Sequence, residues 1–161
     1  MAEASRSFDR VAHCYDETRA MPPDAQAAVT ADIVRVARTI AAEPLLLEMG
    51  IGTGRIALPL VDSGVHVVGV DLARAMLAQL RARRPAVPVA IADMTRLPFG
   101  AARFDSVLFV HVLHLLRDPG AALRAAREVL RLAADCCMAG RASIRARCRA
   151  RPLWCARSSP R

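Results

Sequence analysis

Residues 45–55, LLLEMGIGTGR, set a short apolar run, a glutamate and three glycines at alternate positions side by side. An apolar run that ends in glycines and resumes as a helical pattern is a strand-to-helix turn, and the alternation continues beyond it. Val65 to Val70 is apolar, rich in β-branched residues, and ends at Asp71. A helical pattern over Arg74–Arg84 follows, and Val87 to Ala92 then makes a third strand ending at Asp93. Strand, helix, strand, helix, strand implies parallel neighbours, because only a long return can bring the chain back in the same direction. The expected fold class is therefore α/β, a Rossmann-like doubly wound parallel sheet.

The flanking segments fit that frame. Val29, Ile33, Val36, Ala37 and Ile40 form one stripe of a packing helix within Asp24–Ala42. The helix after the glycines is expected from about Thr53 to Gly64, kinked at Pro59. Pro88 cannot donate to a ladder, which places the third strand at a sheet edge. Ser106 to Val110 reads as a fourth strand buried on both faces. Asp118 caps the next helix, with Pro119 in its first turn, and the pattern runs to about Arg131.

Composition adds limits. A chain of 161 residues is one domain's worth. No apolar run approaches the ~18 residues of a membrane span, and Met1–Arg10 is too polar for a signal peptide, so a cytoplasmic protein without membrane partners is expected. All 23 basic residues are arginine, which fits high-GC coding better than selection for a surface property. Residues 1–131 hold 16 Arg against 14 Asp plus Glu, whereas 132–161 hold 7 Arg against Asp135 alone. Cys136, Cys137, Cys148 and Cys155 lie in that tail with no CxxC pair and no histidine after His114, so no metal site is expected.

Ligands of a parallel sheet collect beyond the carboxyl ends of its strands. Glu48, Gly50, Gly52, Gly54, Asp71, Asp93 and His111 all fall at such ends. Glycines without Cβ atoms let a nucleotide-like ligand sit against the main chain. Asp71, 23 residues after Glu48, is placed to accept from both hydroxyls of a ribose. A bare tight turn and a simple helix cap are the plainer explanations of these two features. A dinucleotide site wants a glycine at the sixth position of its motif, and Arg55 stands there. An NAD(P)-dependent oxidoreductase is the rival enzyme reading, disfavoured by Arg55 and by Glu48 before the loop.

Four stretches, LLEMGIGTGRIALPL, VVGVDLARAML, VAIADMTRLPFGAARFDSVLFVHVLHLL and DPGAALRAAREVLR, occur in this order. Together they resemble the class I S-adenosylmethionine-dependent methyltransferases, in the small-molecule branch that includes ubiquinone and menaquinone biosynthesis enzymes (the type 11 methyltransferase domain). The resemblance covers about Phe8 to Arg131. It implies S-adenosyl-L-methionine as cofactor and a small-molecule methyl acceptor; the basic tail is the one feature that could suit nucleic acid, but with Trp154 as its sole stacking residue that partner is not expected, and oligomeric state stays open. Glu48, Gly50, Gly52 and Gly54 would approach the methionine part and Asp71 the ribose hydroxyls. Asp93 would meet the adenine amino group, with Met94 along one adenine face and Leu72 on the other. FDRVAHCYDETRA resembles the family's amino-terminal helix, from which Tyr15 and Arg19 would reach the cofactor carboxylate; an amphipathic surface helix explains the same segment.

Phe109, Val110 and His111 would line the cleft where the methyl is presented. An activated sulfonium methyl needs alignment and exclusion of water more than it needs covalent chemistry. His111 is the candidate general base, since imidazole titrates near neutrality. A shaping role for His111 is the plainer alternative. His114 reads as structural, Asp16 as a secondary base candidate and Cys14 as a packing residue.

The resemblance breaks after EVLR. Family members continue with Pro-Gly-Gly, a basic residue and an apolar fifth strand, and LAADCCMAG carries neither turn nor strand signal. The expected domain is therefore 1–131, supplying strands in the order 3-2-1-4 without 5-7-6, and 132–161 is an anomalous Arg/Cys-rich tail. DNA that reads Pro-Gly-Gly-Arg-Leu-Leu as CCT GGC GGC CGA CTG CTG reads Leu-Ala-Ala-Asp-Cys one base later, which is the text of residues 132–136. A truncated or frameshifted chain is the expectation this raises, with an inactive cofactor-binding remnant as the alternative to an active enzyme. Resequencing codons 128–140 should reveal a one-base shift that restores the family's turn; an intact frame through these codons would refute it.

Overall fold

The computed structural model describes residues 8–140 and 143–146, with side-chain surroundings for 8–131 other than Val11 and His13. A 3-10 turn over Asp9–Cys14 leads into a short helix, α1 (Tyr15–Thr18), and then α2 (Pro23–Ile40). The parallel core follows as β1 (Leu45–Met49), α3 (Ala57–Asp62), β2 (His66–Asp71), α4 (Arg74–Arg83), β3 (Val89–Ile91) and β4 (Phe104–Val110). A 3-10 turn at Leu113–Leu115 precedes α5 (Pro119–Val129), β5 (Leu130–Gly140) and β6 (Ser143–Ala146). The sheet order is β3-β2-β1-β4-β5-β6, with β6 alone antiparallel to its neighbour.

Side chains alternate across the sheet with the period of two that a pleat imposes. Leu46, Val67 and Leu108 join Ile33 of α2, Leu60 of α3 and Leu77 and Leu80 of α4 on one face. Leu47, Val70, Val107 and Phe109 meet Ala122, Ala126 and Val129 of α5 on the other. The α/β doubly wound expectation holds, including the order 3-2-1-4 and β3 at the edge. Pro88 lies one residue outside β3, where its carbonyl accepts from Gly69 N–H at 3.0 Å and its lack of a donor costs nothing. Asp118 caps α5 through a 3.0 Å bond from Ala121 N–H, with Pro119 as the first helical residue.

Three expectations are corrected. The helix after the glycines starts at Ala57, not near Thr53, because Gly54 has φ +83° and cannot belong to it. Pro59 is the third residue of α3, where a missing N–H is one of the first-turn donors that lack an intrahelical partner, so no kink is required. A fifth strand, expected to be missing, is present: β5 runs parallel to β4, pairing Ser106 with Asp135 and Val110 with Ala139. An otherwise open β4 edge offers a full row of backbone donors and acceptors, and backbone pairing depends little on side-chain identity. The join is irregular. From the Phe104–Leu130 pair to the Ser106–Asp135 pair, β4 advances two residues and β5 five. Asp105 bridges the same place, accepting from Leu45 N–H at 2.9 Å and from Arg131 at 2.5 Å. Residues 141–142 and 147–161 of the expected tail lie outside the described residues. Among the described residues no helix is long and apolar enough to cross a membrane.

Gly69, which pairs with Glu48 across β1 and β2, tests this packing. A Cβ there would lie 2.2 Å from Ile51 Cδ1 and 2.8 Å from Ile51 Cβ. Gly69→Ala should lower unfolding free energy by about 1–3 kcal/mol in denaturant titration, and Ile51→Ala in the same chain should recover part of it.

Candidate cofactor crevice

The carboxyl ends of β1, β2 and β4 open into one crevice. Gly50, Gly52, Asp71 and Leu72 form its floor and Met94, Val110 and His111 contribute one side. Gly50 and Gly52 have φ of +83° and +56°, a region where L side chains are strained. An added Cβ on Gly52 would meet no heavy atom within 4 Å, so that position keeps open space against the main chain.

Asp71 holds the loop in this shape. One carboxylate oxygen accepts from Gly52 N–H at 2.9 Å and the other from Ala73 N–H, at the start of α4, at 2.8 Å. Burial raises this carboxyl above its ordinary range, against the lowering effect of the Ala73, Gly52 and Leu72 N–H groups. A carboxylate has about four acceptor positions. The Gly52, Ala73 and Leu72 N–H groups engage at most three, which leaves capacity for a ribose hydroxyl.

Glu48 lies at the end of β1, 2% exposed, and its Oε2 has no hydrogen-bond partner. Desolvation dominates its acidity, pushing it from 4.5 up to about 8, with Arg55 pulling down and Asp71 pushing up. A buried acid with an unused oxygen favours a cationic or donor-bearing neighbour. Glu48 itself does not line the crevice, so its unused oxygen lies behind the glycine loop, while the open space at Gly52 can take a ligand against the main chain.

The remaining expected residues divide. Tyr15 lines the crevice, with Phe8 edge-on to it at 6.0 Å between ring centres. Gly54 faces an adjoining hollow on the other side of the loop, shared with Asp16, Arg55 and Arg83. Asp93 is half-buried and accepts from Thr95 N–H and Oγ1, both at 2.8 Å, and it does not line the crevice. Phe109, 2% exposed, packs in the core beneath. Arg19 is exposed and faces neither space. His111 is exposed at the crevice with φ +51°, a conformation histidine adopts more readily than most residues. His114 is exposed in the following turn, outside the lining.

Reading the sequence missed Phe8, Met76, Val112, Leu115 and Leu116, all of which line the crevice. Only the apolar density of VHVLHLL hinted at the last three.

Strand order, glycine loop and acidic strand ends together define a Rossmann-like crevice of the methyltransferase type. The methyltransferase domain family matches residues 47–137, more than half of the chain and past Arg131, and the chain belongs to that family. It is similar to demethylmenaquinone methyltransferase from Streptomyces griseus, 32% identical over 122 residues, which cover 76% of this chain and 53% of the relative. The corresponding enzyme from Beutenbergia cavernae is 36% identical over 87 residues, covering 54% of this chain and 35% of that one. Among solved structures, the CcbJ methyltransferase from Streptomyces caelestis is 30% identical with a TM-score of 0.69, covering 84% of this chain and 58% of the other. The chain spans about half the length of the curated relatives that match three quarters or more of it.

Glu48 sets a pH dependence. Its folded-state value lies above its ordinary 4.5, so the folded chain binds the extra proton between 4.5 and about 8. Stability should therefore fall as pH rises through that window, by at most about 1.4 kcal/mol per pH unit. Denaturant titrations at pH 5, 6.5 and 8 should show the decline in the ligand-free chain, and Glu48→Gln should flatten it.

Proposed function

We propose that the crevice binds S-adenosyl-L-methionine and presents its methyl group to a small apolar acceptor. The observation that supports this most directly is the convergence of Gly50, Gly52, Asp71, Leu72 and Met94 on one space at the strand ends. The family match and the methyltransferase names of its relatives point the same way. An NAD(P)-dependent oxidoreductase is not favoured by either.

When bound, the cofactor supplies a methyl already activated on a sulfonium. Asp71 accepts from the ribose while keeping Gly52 in place, and Leu72 and Met94 offer apolar surface to the adenine. Glu48 lies behind the loop, where its unpaired Oε2 can accept from a donor that the ligand brings. Arg19 and Asp93, which the resemblance links to the carboxylate and the adenine amino group, would contribute only if the ligand reached beyond the lining described above. Val110, Val112, Leu115 and Leu116 give the acceptor side an apolar wall, which excludes water and favours a ring compound. That lining suits an acceptor like demethylmenaquinone, the compound in the relatives' names. His111, at the same wall, is placed to take the proton that the acceptor releases on methylation, whether from a ring carbon of a reduced quinone or from an oxygen or nitrogen.

Thermal unfolding with S-adenosylhomocysteine or NAD separates the readings. At a ligand concentration ~100 times Kd, binding stabilises by about 2.7 kcal/mol. The homocysteine compound should raise the melting point and NAD should not; the reverse result rejects the proposal. Asparagine tolerates positive φ, so His111→Asn isolates chemistry from backbone strain. In a turnover assay with an oxygen or nitrogen acceptor, kcat should drop about 100-fold or more, with donor affinity within about twofold. Unchanged kcat would leave His111 a shaping residue.

A further inference from the structure

The amino-terminal segment, residues 9–18, lies along α4 and is fastened to it once per helical turn. Asp9 Oδ1 accepts from Ala75 N–H at 2.8 Å, the Ala12 carbonyl accepts from Gln79 Nε2 at 2.8 Å, and Asp16 Oδ2 meets Arg83 at 2.5 Å. Residues 75, 79 and 83 share one face of a helix. Ala12 is buried against Ala73 and Met76. The segment is thus a strap, and Tyr15 and the neighbouring Phe8 form one wall of the crevice.

Asp16 does something the other fastenings do not. Its second oxygen, Oδ1, accepts from Thr53 Oγ1 at 2.5 Å, and Thr53 is 1% exposed between Gly52 and Gly54. Consecutive loop residues are therefore held by carboxylates from different segments, Gly52 by Asp71 and Thr53 by Asp16. With both oxygens engaged, and facing the adjoining hollow rather than the His111 wall, Asp16 is poorly placed to act as a base.

Resting on the cofactor reading above, we infer that Asp16 is a positioning residue that couples closure of the strap to the geometry of the glycine loop and so slows release of the ligand. The two ends of the link differ in strength. The Arg83 pair is half-exposed, with side chains 46% and 30% accessible, and such pairs contribute little. The Thr53 bond is buried at its donor and charge-assisted, and it carries most of the coupling.

The test uses the full chain and four variants, Asp16→Ala, Asp16→Asn, Thr53→Val and Arg83→Met. Two quantities are read: the release rate of S-adenosylhomocysteine, well below the melting point, and hydrogen exchange of residues 9–18 and 50–54 without ligand. Asp16→Ala and Thr53→Val should each speed release about tenfold and raise exchange in both segments. Combined, they should be no worse than either alone, because they cut the same link. Arg83→Met should stay within about threefold. Asp16→Asn keeps an acceptor for Thr53 and should fall between wild type and Asp16→Ala, which covers the case in which Asp16→Ala does not fold. A lowered melting point with unchanged release and exchange would make Asp16 merely structural and overturn the inference. Additive effects of the two cuts would overturn it as well. If the wild type takes up no S-adenosylhomocysteine, the cofactor reading falls, and exchange alone decides: coupled changes in both segments support the link, and unchanged exchange refutes it.

Discussion

Two backbone N–H groups, from Gly52 and Ala73, converge on the carboxylate of Asp71, and the functional end of the molecule is organised around that meeting. A loop with three glycines has many conformations in the unfolded chain and no side chains to fix it. Asp71 supplies the missing constraint from the next strand. Because β1 and β2 are parallel neighbours, with Met49 opposite Val70, the loop after one and the acid ending the other arrive side by side. The same acid accepts from Ala73 N–H immediately before α4, so loop, strand and helix entry share one anchor. Keeping a carboxylate largely out of water raises its proton affinity, and the N–H groups offset part of that cost.

Around this anchor the crevice is assembled from contributions with little local support of their own. Glu48 stays buried with an oxygen lacking a partner, and His111 holds a backbone angle uncommon outside glycine. Unfavourable local choices of this kind concentrate at ligand sites, where the surrounding fold imposes them. The opposite sheet edge shows a different economy. Beyond β4 the chain still pairs strand on strand, through a ladder that slips between Phe104 and Ser106, with Asp105 tying Arg131 and Leu45 together at the slip.

Much of the architecture was legible in the sequence because it rests on periodicity and a few strong residue types. Alternating strand and helix patterns gave the parallel sheet, the family resemblance gave its strand order, Pro88 gave the edge, and Asp118–Pro119 gave a helix start. Gly50, Gly52, Asp71 and His111 could be placed at the crevice because strand ends are readable from where apolar runs stop, whereas Leu72 and Met94 followed from the family resemblance. What escaped notice depends on contacts between distant segments. Nothing in the text pairs Asp9 with Ala75 or Asp16 with Arg83, since those neighbours exist only once α4 is packed. Gly54 and Phe109 belong to the right motifs, yet a turn of the loop and the pleat of β4 direct them elsewhere. The fifth strand was missed because its text lacks the expected turn, whereas backbone pairing to an open edge does not require one.

A crystal structure of the chain with S-adenosylhomocysteine is the most direct examination of the site. The ribose should hydrogen-bond to Asp71 while the Gly52 bond persists, with the adenine against Leu72 and Met94. A ligand lodged away from Asp71 and Gly52, or a crevice that stays empty at saturating concentration, would contradict the assignment.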